Sequence, residues 1–221
     1  MAASARAAAQ TPRTSAGRRS LAEFVASVAA STPTPGGGSV VAHVGALAAA
    51  LSTMVAGLTV GRPKFASVEA DLRAVAAEAA DLGAMLASLV ERDSAAYGAV
   101  SAAYKLPKEP ESAAAARRQA IADALIGAAE VPLETARACA RIAHLAAVAA
   151  AKGNPNAVSD AGVAALLAEA ACRGAAYNVR INVAALGDPE RGRALVDEAK
   201  RLVTEAAHAA SLATAEVERH L

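Results

Sequence analysis

Alanine fills 68 of the 221 positions of this chain, and no other feature of the sequence limits its fold as strongly. Alanine has the highest helix propensity of any residue, whereas strands are enriched in β-branched and aromatic residues. Only five residues are aromatic, and tryptophan is absent. The composition therefore argues against an all-β fold and predicts an all-α protein whose small side chains let helices pack closely.

Proline, glycine and asparagine interrupt long helical patterns and predict six to seven helices in a single-domain antiparallel bundle. The predicted breaks lie at residues 32–38, 61–64, 106–108, 153–156 and 187–188. Ser20 and Glu23 form a capping box that starts the first helix, and Asp188 caps the last one. Pro132 interrupts the fourth pattern, so we expect that helix to kink or split near Glu130.

Glycines inside the predicted helices point to close contacts between them. Each such glycine costs about 1 kcal/mol relative to alanine, a cost that is tolerated where a neighbouring helix leaves no room for a side chain. The positions are Gly45, Gly57, Gly83, Gly98, Gly127, Gly162 and Gly174.

The first 19 residues differ from the rest of the chain, since they carry four arginines, no acidic residue and no periodic pattern. We predict a disordered basic tail over residues 1–19 and one helical domain over residues 20–221; a transit-like leader is the alternative for the tail. The net charge of +1 gives no field that favours nucleic acid. Neither a secretory leader nor a run of about 18 large apolar residues is evident, so we expect no membrane partner.

The cysteines and histidines suggest no metal chemistry. Cys139 and Cys172 fall within helical patterns and form no CxxC motif, which predicts buried free thiols in a reducing, cytoplasmic compartment. The four histidines show no metal-ligand spacing with cysteine or carboxylate. We therefore expect no metal site.

Asp93 is the most informative single residue, because it interrupts an apolar stripe on the long third helix. The stripe advances by three and four residues through Leu72, Val75, Ala79, Leu82, Leu86, Leu89, Asp93, Ala96, Val100 and Ala103. A buried, unpaired carboxylate is costly, so Asp93 should be paired, protonated or functional. Two interpretations stay open: a catalytic group, or a structural carboxylate that lies near a subunit surface or pairs with an arginine.

A glycine-rich loop leads directly into the second predicted helix through Gly36, Gly37, Gly38 and Ser39. Backbone N–H groups at a helix N-terminus bind anions, and glycines permit close approach by a ligand. The alternative is a flexible turn in which Ser39 caps the helix. His43 shares the helix face of Ser39 and is a candidate acid or base, although a lone histidine in an alanine-rich helix is more often packed and neutral.

Further candidates are polar residues on the fifth helix and at turns. Asn178 and Asn182 are four residues apart and share a face, where their amides could bind a polar heterocycle or form hydrogen bonds between helices or subunits. Lys64 and Lys108 lie at predicted turns, where most lysines are simply solvated; near a ligand they would suit a polycarboxylate tail. Ser159 or Asp160 is interpreted from the pattern as the N-cap of the fifth helix.

Taken together, these motifs resemble the cyclodeaminase/cyclohydrolase domain of the formiminotransferase-cyclodeaminase family. The matching segments are residues 35–40, 58–61, Asp93 with 96–97, 106–108, 131–133 and 153–182. Their order and spacing cover roughly residues 20 to 185, which makes the combination far more specific than any single motif. The formiminotransferase domain has no counterpart in this sequence.

The resemblance implies an all-α homodimer that acts on one-carbon tetrahydrofolates. Such enzymes close 5-formiminotetrahydrofolate to the 5,10-methenyl form with loss of ammonia, or interconvert the methenyl form and 10-formyltetrahydrofolate. The family's catalytic aspartate falls on Asp93. The resemblance also implies a set of substrate-binding residues: Gly36, Gly37, Gly38, Ser39, Lys64, Lys108, Asp160, Asn178 and Asn182.

Within that resemblance, the two asparagines would bind the pterin, and the glycine loop with Lys64 or Lys108 would receive the glutamate tail. No cofactor beyond the tetrahydrofolate substrate is expected. A non-catalytic folate- or anion-binding bundle, which would need no Asp93, is the alternative from another class. A purely structural alanine-rich dimer is the third possibility.

Overall fold

A computed structural model describes residues 20–221, so the predicted basic tail lies outside the described residues. The described part is all-α, as predicted, with six α-helices and two short 3₁₀ helices over Pro63–Val68 and Pro155–Ala157. The α-helices are α1 (Leu21–Ala29), α2 (Gly37–Gly57), α3 (Glu69–Tyr104), α4 (Glu111–Lys152), α5 (Val158–Ala185) and α6 (Pro189–Glu218).

Local capping chemistry determines several helix ends as predicted. Ser20 accepts from the N–H of Glu23 while the Glu23 carboxylate accepts from the N–H of Ser20, which completes the capping box. Asp188 caps α6 by accepting from the N–H of Glu190. Gly187 follows the C-cap of α5 with φ of 69°, a left-handed conformation that favours glycine.

The predicted start of α5 is wrong, and so is the N-cap role of Asp160. The Asn154 side chain accepts from the N–H of Asn156 and starts a 3₁₀ turn, which carries the chain into α5 at Val158. Ala157 is the N-cap and makes no side-chain capping bond. Asp160 lies in the first turn of the helix, where a carboxylate still interacts favourably with the helix dipole.

We expected a kink or a split at Pro132, and the split is wrong, because α4 runs through this proline as one helix of 42 residues. Proline has no N–H, so it leaves the carbonyl four residues earlier, that of Ala128, without its helical donor. The Nδ2 amide of Asn182 on α5 donates to this carbonyl at 2.8 Å. A neighbouring helix therefore supplies the bond that Pro132 removes.

Helices α2 to α6 form the bundle, and consecutive helices run antiparallel. Paired positions establish the register between neighbours: Gly45 faces Leu86 between α2 and α3, while Gly162 faces Val217 between α5 and α6. Bidentate ion pairs, exemplified by Arg92–Glu134, join α3 to α4 across the surface. α1 lies at the periphery, since none of its residues is buried.

The core is built largely from alanine and follows the predicted stripe on α3. Leu72, Val75, Ala79, Leu86 and Leu89 are all buried. α4 contributes the longest buried face and packs against α5, α6, α3 and α2. Small side chains in these faces allow the helices to approach closely, as the composition indicates.

Close helix contacts occur at four of the seven glycines for which they were predicted. A Cβ at Gly45, Gly83, Gly162 or Gly174 would press on a side chain of the neighbouring helix. Gly57, Gly98 and Gly127 face open space, so the prediction is wrong at those positions.

Within the described residues, α2 is the one helix long and apolar enough to cross a membrane by length and composition alone. A core helix of a bundle passes the same test, and α2 packs against α3, α4 and α5. The finding is therefore weak support for membrane insertion.

The antiparallel arrangement gives the bundle two distinct ends. The cavity end gathers the N-terminus of α2, the second half of α3, the first half of α4 and the C-terminus of α5, with Gly38 against Asp93 and Gly37 near Asn178. The far end gathers the opposite termini, and there Gly153 packs against Val55. Candidate site residues can thus be assigned to one end or the other.

Candidate active site

A cavity of about 400 Å³ opens at the cavity end. The loop before α2 forms one wall, and α3, α4 and α5 supply the others. Gly36, Gly37, Gly38, Asp93, Asn178 and Asn182 all line it, so six of the residues singled out in the sequence meet there. Asp93 is the single charged residue among the described residues that line the cavity.

The Asp93 carboxylate is positioned by a buried hydroxyl. Ser39 is fully buried, and its Oγ lies 2.8 Å from Asp93 Oδ2 and 3.1 Å from the carbonyl oxygen of Val90. The Ser94 hydroxyl lies 3.3 Å from the same Oγ. No cation pairs with Asp93 in the described residues, and Oδ1 has no hydrogen-bond partner there. One carboxylate oxygen is thus held by the protein and the other stays available.

Gly38 permits this arrangement because a Cβ at that position would overlap with the Asp93 carboxylate. The helix starts at Gly37 with Gly36 as N-cap, so Ser39 is the third residue of α2 and not its cap. The first N–H groups of a helix lack intrahelical acceptors. Those of Gly37 and Gly38 are therefore available to a carbonyl or anion in the cavity.

Asn178 and Asn182 form the α5 wall of the cavity. Asn178 Nδ2 donates to the carbonyl of Gly174 at 2.9 Å, and Asn182 Nδ2 donates to the carbonyls of Ala128 and Asn178. Both amide nitrogens are thus engaged with backbone. Their carbonyl oxygens have no hydrogen-bond partner among residues 20–221, which leaves two acceptors for donors on a ligand.

Two tyrosines on α3 complete the cavity. Tyr97 and Tyr104 line it, and both remain about half exposed. Arg117 of α4 donates from Nη2 to the Tyr104 carbonyl at 3.1 Å, and its guanidinium lies 5.8 Å from the centroid of that ring. This contact satisfies one of the orphan carbonyls at the end of α3 and holds Tyr104 in place.

Five predicted site residues do not line this cavity, and one of them, Ser39, reaches it only through its hydrogen bond to Asp93. Lys64 follows the C-terminus of α2, which at 21 residues places it about 30 Å from the glycine loop. Asp160 precedes Asn178 by 18 residues on one helix, about 27 Å away. Lys108 lies in the exposed connection between α3 and α4. His43 stacks on Phe24 of α1 with ring centroids 4.8 Å apart, a packing contact away from the cavity.

A second, larger cavity adjoins the first. It has a volume of about 950 Å³ and forms an open groove between the C-terminal turns of α5 and the start of α6. Ile181 lines both cavities and separates them. The third tyrosine, Tyr177, lines this groove and not the smaller cavity.

The two thiols contribute no nucleophile. Cys139 and Cys172 are free and buried, as predicted. Burial raises the pKa of Cys172 to about 12 and raises the pKa of Cys139 well above its ordinary value. Both thiols are therefore protonated at neutral pH. Residues 20–221 also contain no group of three or more histidine, cysteine or acidic side chains arranged to hold a metal ion.

Sequence reasoning missed several parts of the site. Leu125 and Ala128 of α4 line the cavity, yet nothing in their local sequence distinguishes them from other core residues. Pro33 and Thr34 also contribute to the wall, and their position next to the glycine loop was a usable signal. Ser94, beside Asp93, could have been noticed for the same reason.

The amino-acid sequence of the chain matches a known protein family and several of its members. The formiminotransferase-cyclodeaminase profile matches residues 20–201. The chain is 42% identical to a methenyltetrahydrofolate cyclohydrolase of Methylorubrum extorquens over 191 residues, covering 86% of the chain and 92% of that protein. It is 37% identical to a Rattus norvegicus formimidoyltransferase-cyclodeaminase, of which it spans 31% while 76% of the chain is covered.

A solved structure agrees with these sequence matches. The crystal structure of a formiminotetrahydrofolate cyclodeaminase from Thermotoga maritima superposes with a TM-score of 0.83 at 30% identity. The match covers 91% of this chain and 96% of that one.

Proposed function

The chain belongs to the formiminotransferase-cyclodeaminase family and is an enzyme of folate-dependent one-carbon chemistry; from this premise we propose that it interconverts 5,10-methenyltetrahydrofolate and 10-formyltetrahydrofolate. The observation that carries the choice of reaction is the 42% identity to a methenyltetrahydrofolate cyclohydrolase over nearly the whole of both proteins. The bifunctional relative from Rattus norvegicus is matched over only 31% of its length, so its full activity does not transfer.

Asp93 is the catalytic residue of this proposal. The methenyl substrate is an amidinium cation, and the carboxylate is the single charge that lines the cavity in the described residues. An anion placed beside the cation stabilises it, and the free Oδ1 accepts a proton from the attacking water. Ser39 holds the opposite oxygen, so the available one keeps a defined direction.

The steps balance without an additional reactant. Water adds to the methenyl carbon as one of its protons passes to Asp93, which gives a neutral hydroxylated intermediate. The bond from that carbon to N5 then breaks, the new hydroxyl becomes the formyl carbonyl, and N5 receives a proton. One proton is released overall. Neither a metal ion nor a redox cofactor takes part, so the proposal includes no cofactor beyond the tetrahydrofolate.

The polar groups around Asp93 suit the pterin. The carbonyl oxygens of Asn178 and Asn182 accept from ring N–H and amino groups, while the N–H groups of Gly37 and Gly38 donate to a ring carbonyl. Tyr97 and Tyr104 offer faces for stacking.

Cyclodeamination is the second candidate, favoured by the structural match to the Thermotoga enzyme. In that reaction N10 attacks the formimino carbon and ammonia leaves, while Asp93 carries the proton from one nitrogen to the other. Both substrates present the same ring frame, so one cavity accommodates either.

A direct assay separates these functions. The purified protein is mixed with 5,10-methenyltetrahydrofolate, and the methenyl absorbance is followed against the buffer rate. In parallel, 5-formiminotetrahydrofolate is supplied and ammonia is measured. We expect fast loss of the methenyl absorbance and slower or no ammonia release. Ammonia release with the higher kcat/KM would make the enzyme a cyclodeaminase, and tight binding without turnover would favour a folate-binding protein.

We further propose that the enzyme is a cytoplasmic homodimer. Large apolar side chains remain exposed on neighbouring helices, including Leu47 and Met54 of α2 and Val163 and Leu166 of α5. Surfaces of this kind favour subunit association. Light scattering coupled to size exclusion measures the oligomeric state, and a monomer at micromolar concentration would contradict this part of the proposal.

A further inference from the structure

The catalytic cavity has a charge pattern that suits only part of its proposed substrate. Asp93 matches the cationic ring system, but no lysine, arginine or histidine lines the cavity in the described residues. The substrate also carries a glutamate tail with at least two carboxylates. Because carboxylates bind most strongly to cationic donors, basic side chains next to this cavity are the favoured partners of the tail.

The groove between α5 and α6 offers such partners. Its volume is about 950 Å³, and its lining includes Arg180, Arg193 and Lys200 beside Asp188 and Asp197. Basic side chains therefore outnumber acidic ones on this surface. Most of the exposed lining area is apolar, which suits the aminobenzoyl group that precedes the tail.

Arg180 is the basic residue most available to a ligand. Arg193 already pairs with Glu190, and Lys200 Nζ lies 3.2 Å from Asp197 Oδ1. Arg180 is exposed, and it has no ion pair or hydrogen bond with any residue from 20 to 221. Its guanidinium presents donors in the fork geometry that binds a carboxylate with two hydrogen bonds.

The groove borders the catalytic cavity at one residue. Ile181 lines both spaces and is 68% exposed, so it forms a ridge between them. Asn178 and Asn182 face the cavity side of α5, and Arg180 faces the groove side. A ligand that extends from the cavity across Ile181 would enter the groove that Arg180 lines.

We propose that the α5–α6 groove binds the glutamate tail of the substrate, with Arg180 as its principal carboxylate ligand. This site rests on the proposed folate reaction, and it assigns the tail to Arg180 in place of Lys64 and Lys108, neither of which lines the cavity or the groove. Arg193 and Lys200 contact the further carboxylates of a longer γ-glutamate chain. The exposed ion pairs that now engage them are weak enough to be exchanged for such a ligand.

The test combines a series of substrates with a charge-removing substitution. The substrates are 5,10-methenyltetrahydropteroate, which has no glutamate, and 5,10-methenyltetrahydrofolate with one and with several glutamates. Steady-state kcat and KM are measured for the wild type and for Arg180→Gln. The matched control is Arg173→Gln, which removes an exposed arginine two turns earlier on the same helix, paired with Glu169 and outside both cavities.

We expect Arg180→Gln to raise KM about fivefold for the glutamate-bearing substrates, the effect of losing one exposed carboxylate partner. KM for the pteroate should not change, and kcat should stay constant throughout. The wild-type preference for longer tails should weaken with added salt. Arg173→Gln should leave every constant unchanged.

Several results would overturn this site. One is an equal rise in KM for the pteroate and the tailed substrates; another is no rise for either. If Arg180→Glu alters the oligomeric state while both KM values stay constant, the groove is an interface between copies of the chain. A wild-type enzyme inactive on the whole series would refute the proposed reaction itself and the tail site with it, a pattern distinct from the other outcomes.

Discussion

Each end of the bundle contains a buried hydroxyl that forms a hydrogen bond to a distant segment, but only one of the two hydroxyls bonds a group that faces a cavity. At the far end, Thr59 Oγ1 donates to the carbonyl of Val55 and accepts from the N–H of Asn154, so the buried hydroxyl and the buried N–H are both hydrogen-bonded within the fold. At the cavity end, Ser39 bonds Asp93, which remains only partly buried and keeps one oxygen open to the cavity.

This contrast distinguishes residues that stabilise the fold from residues available for catalysis, although both kinds occur in motifs of the same family resemblance. The Thr59 and Asn154 segments both belong to the family resemblance, yet the Thr59 hydroxyl both donates and accepts within the fold, and the Asn154 N–H is bonded to it. In the Asp93 segment, by contrast, one carboxylate oxygen faces the cavity without a hydrogen bond from residues 20–221. Bonded and buried groups stabilise a fold, whereas a charge with an open oxygen is available for catalysis.

The largest expected effect is that of Asp93→Asn at the cavity end. The substitution keeps the shape of the side chain but removes the negative charge and the proton acceptor, so kcat should fall by about 10²- to 10⁴-fold. The melting temperature should stay near the wild-type value. The methenyl absorbance assay and circular dichroism check both statements, and near-normal turnover would remove Asp93 from the mechanism.

Gly38→Ala should have the next largest effect, because its Cβ would overlap with the Asp93 carboxylate and push it aside. A displacement of about 1 Å at a reacting group costs about 100-fold in rate. The matched control is Gly127→Ala on α4, where a Cβ meets nothing within 4 Å. That control should gain about 1 kcal/mol of stability and keep full activity. Equal activity in the two variants would argue against close approach at Gly38.

Ser39→Ala tests whether the buried hydroxyl positions the carboxylate. Loss of this hydrogen bond should lower kcat about tenfold with a smaller change in KM, since the bond directs the reacting oxygen. Ser52→Ala is the control, because Ser52 is fully buried on the same helix and bonds only the carbonyl of Ala48. If both variants lose activity in proportion to their loss of stability, Ser39 acts through the fold alone.

Thr59→Val, at the far end, should lower stability without lowering activity. The buried N–H of Asn154 would lose its acceptor, so the free energy of unfolding should fall by about 1–3 kcal/mol. Turnover per folded molecule should not change, because this end is about 30 Å from the cavity along α2. Urea denaturation measures the first quantity, and a substantial drop in kcat would show that the two ends are coupled.

Sequence reasoning succeeded where the deciding interactions are local. The capping box at Ser20, the cap at Asp188 and the turn at Gly187 each depend on residues within one helical turn. The buried stripe on α3 follows from helical periodicity, and that periodicity isolated Asp93. The glycine run before a helix singled out Gly36 to Ser39, and a spacing of four residues singled out both asparagines.

The features that sequence reasoning did not predict depend on contacts between segments that are distant in the chain. The helix continues through Pro132 with the help of Asn182, which lies fifty residues away in the chain. Asn182 donates a hydrogen bond to the carbonyl that the proline leaves without a donor. The role of Ser39 depended on Asp93, and the separation of Lys64 and Asp160 from the cavity depended on helix direction and length. Helix propensity, caps and periodicity act along the chain, so the sequence determines them directly. Cavity walls are formed by side chains from four segments, and only packing brings those segments together.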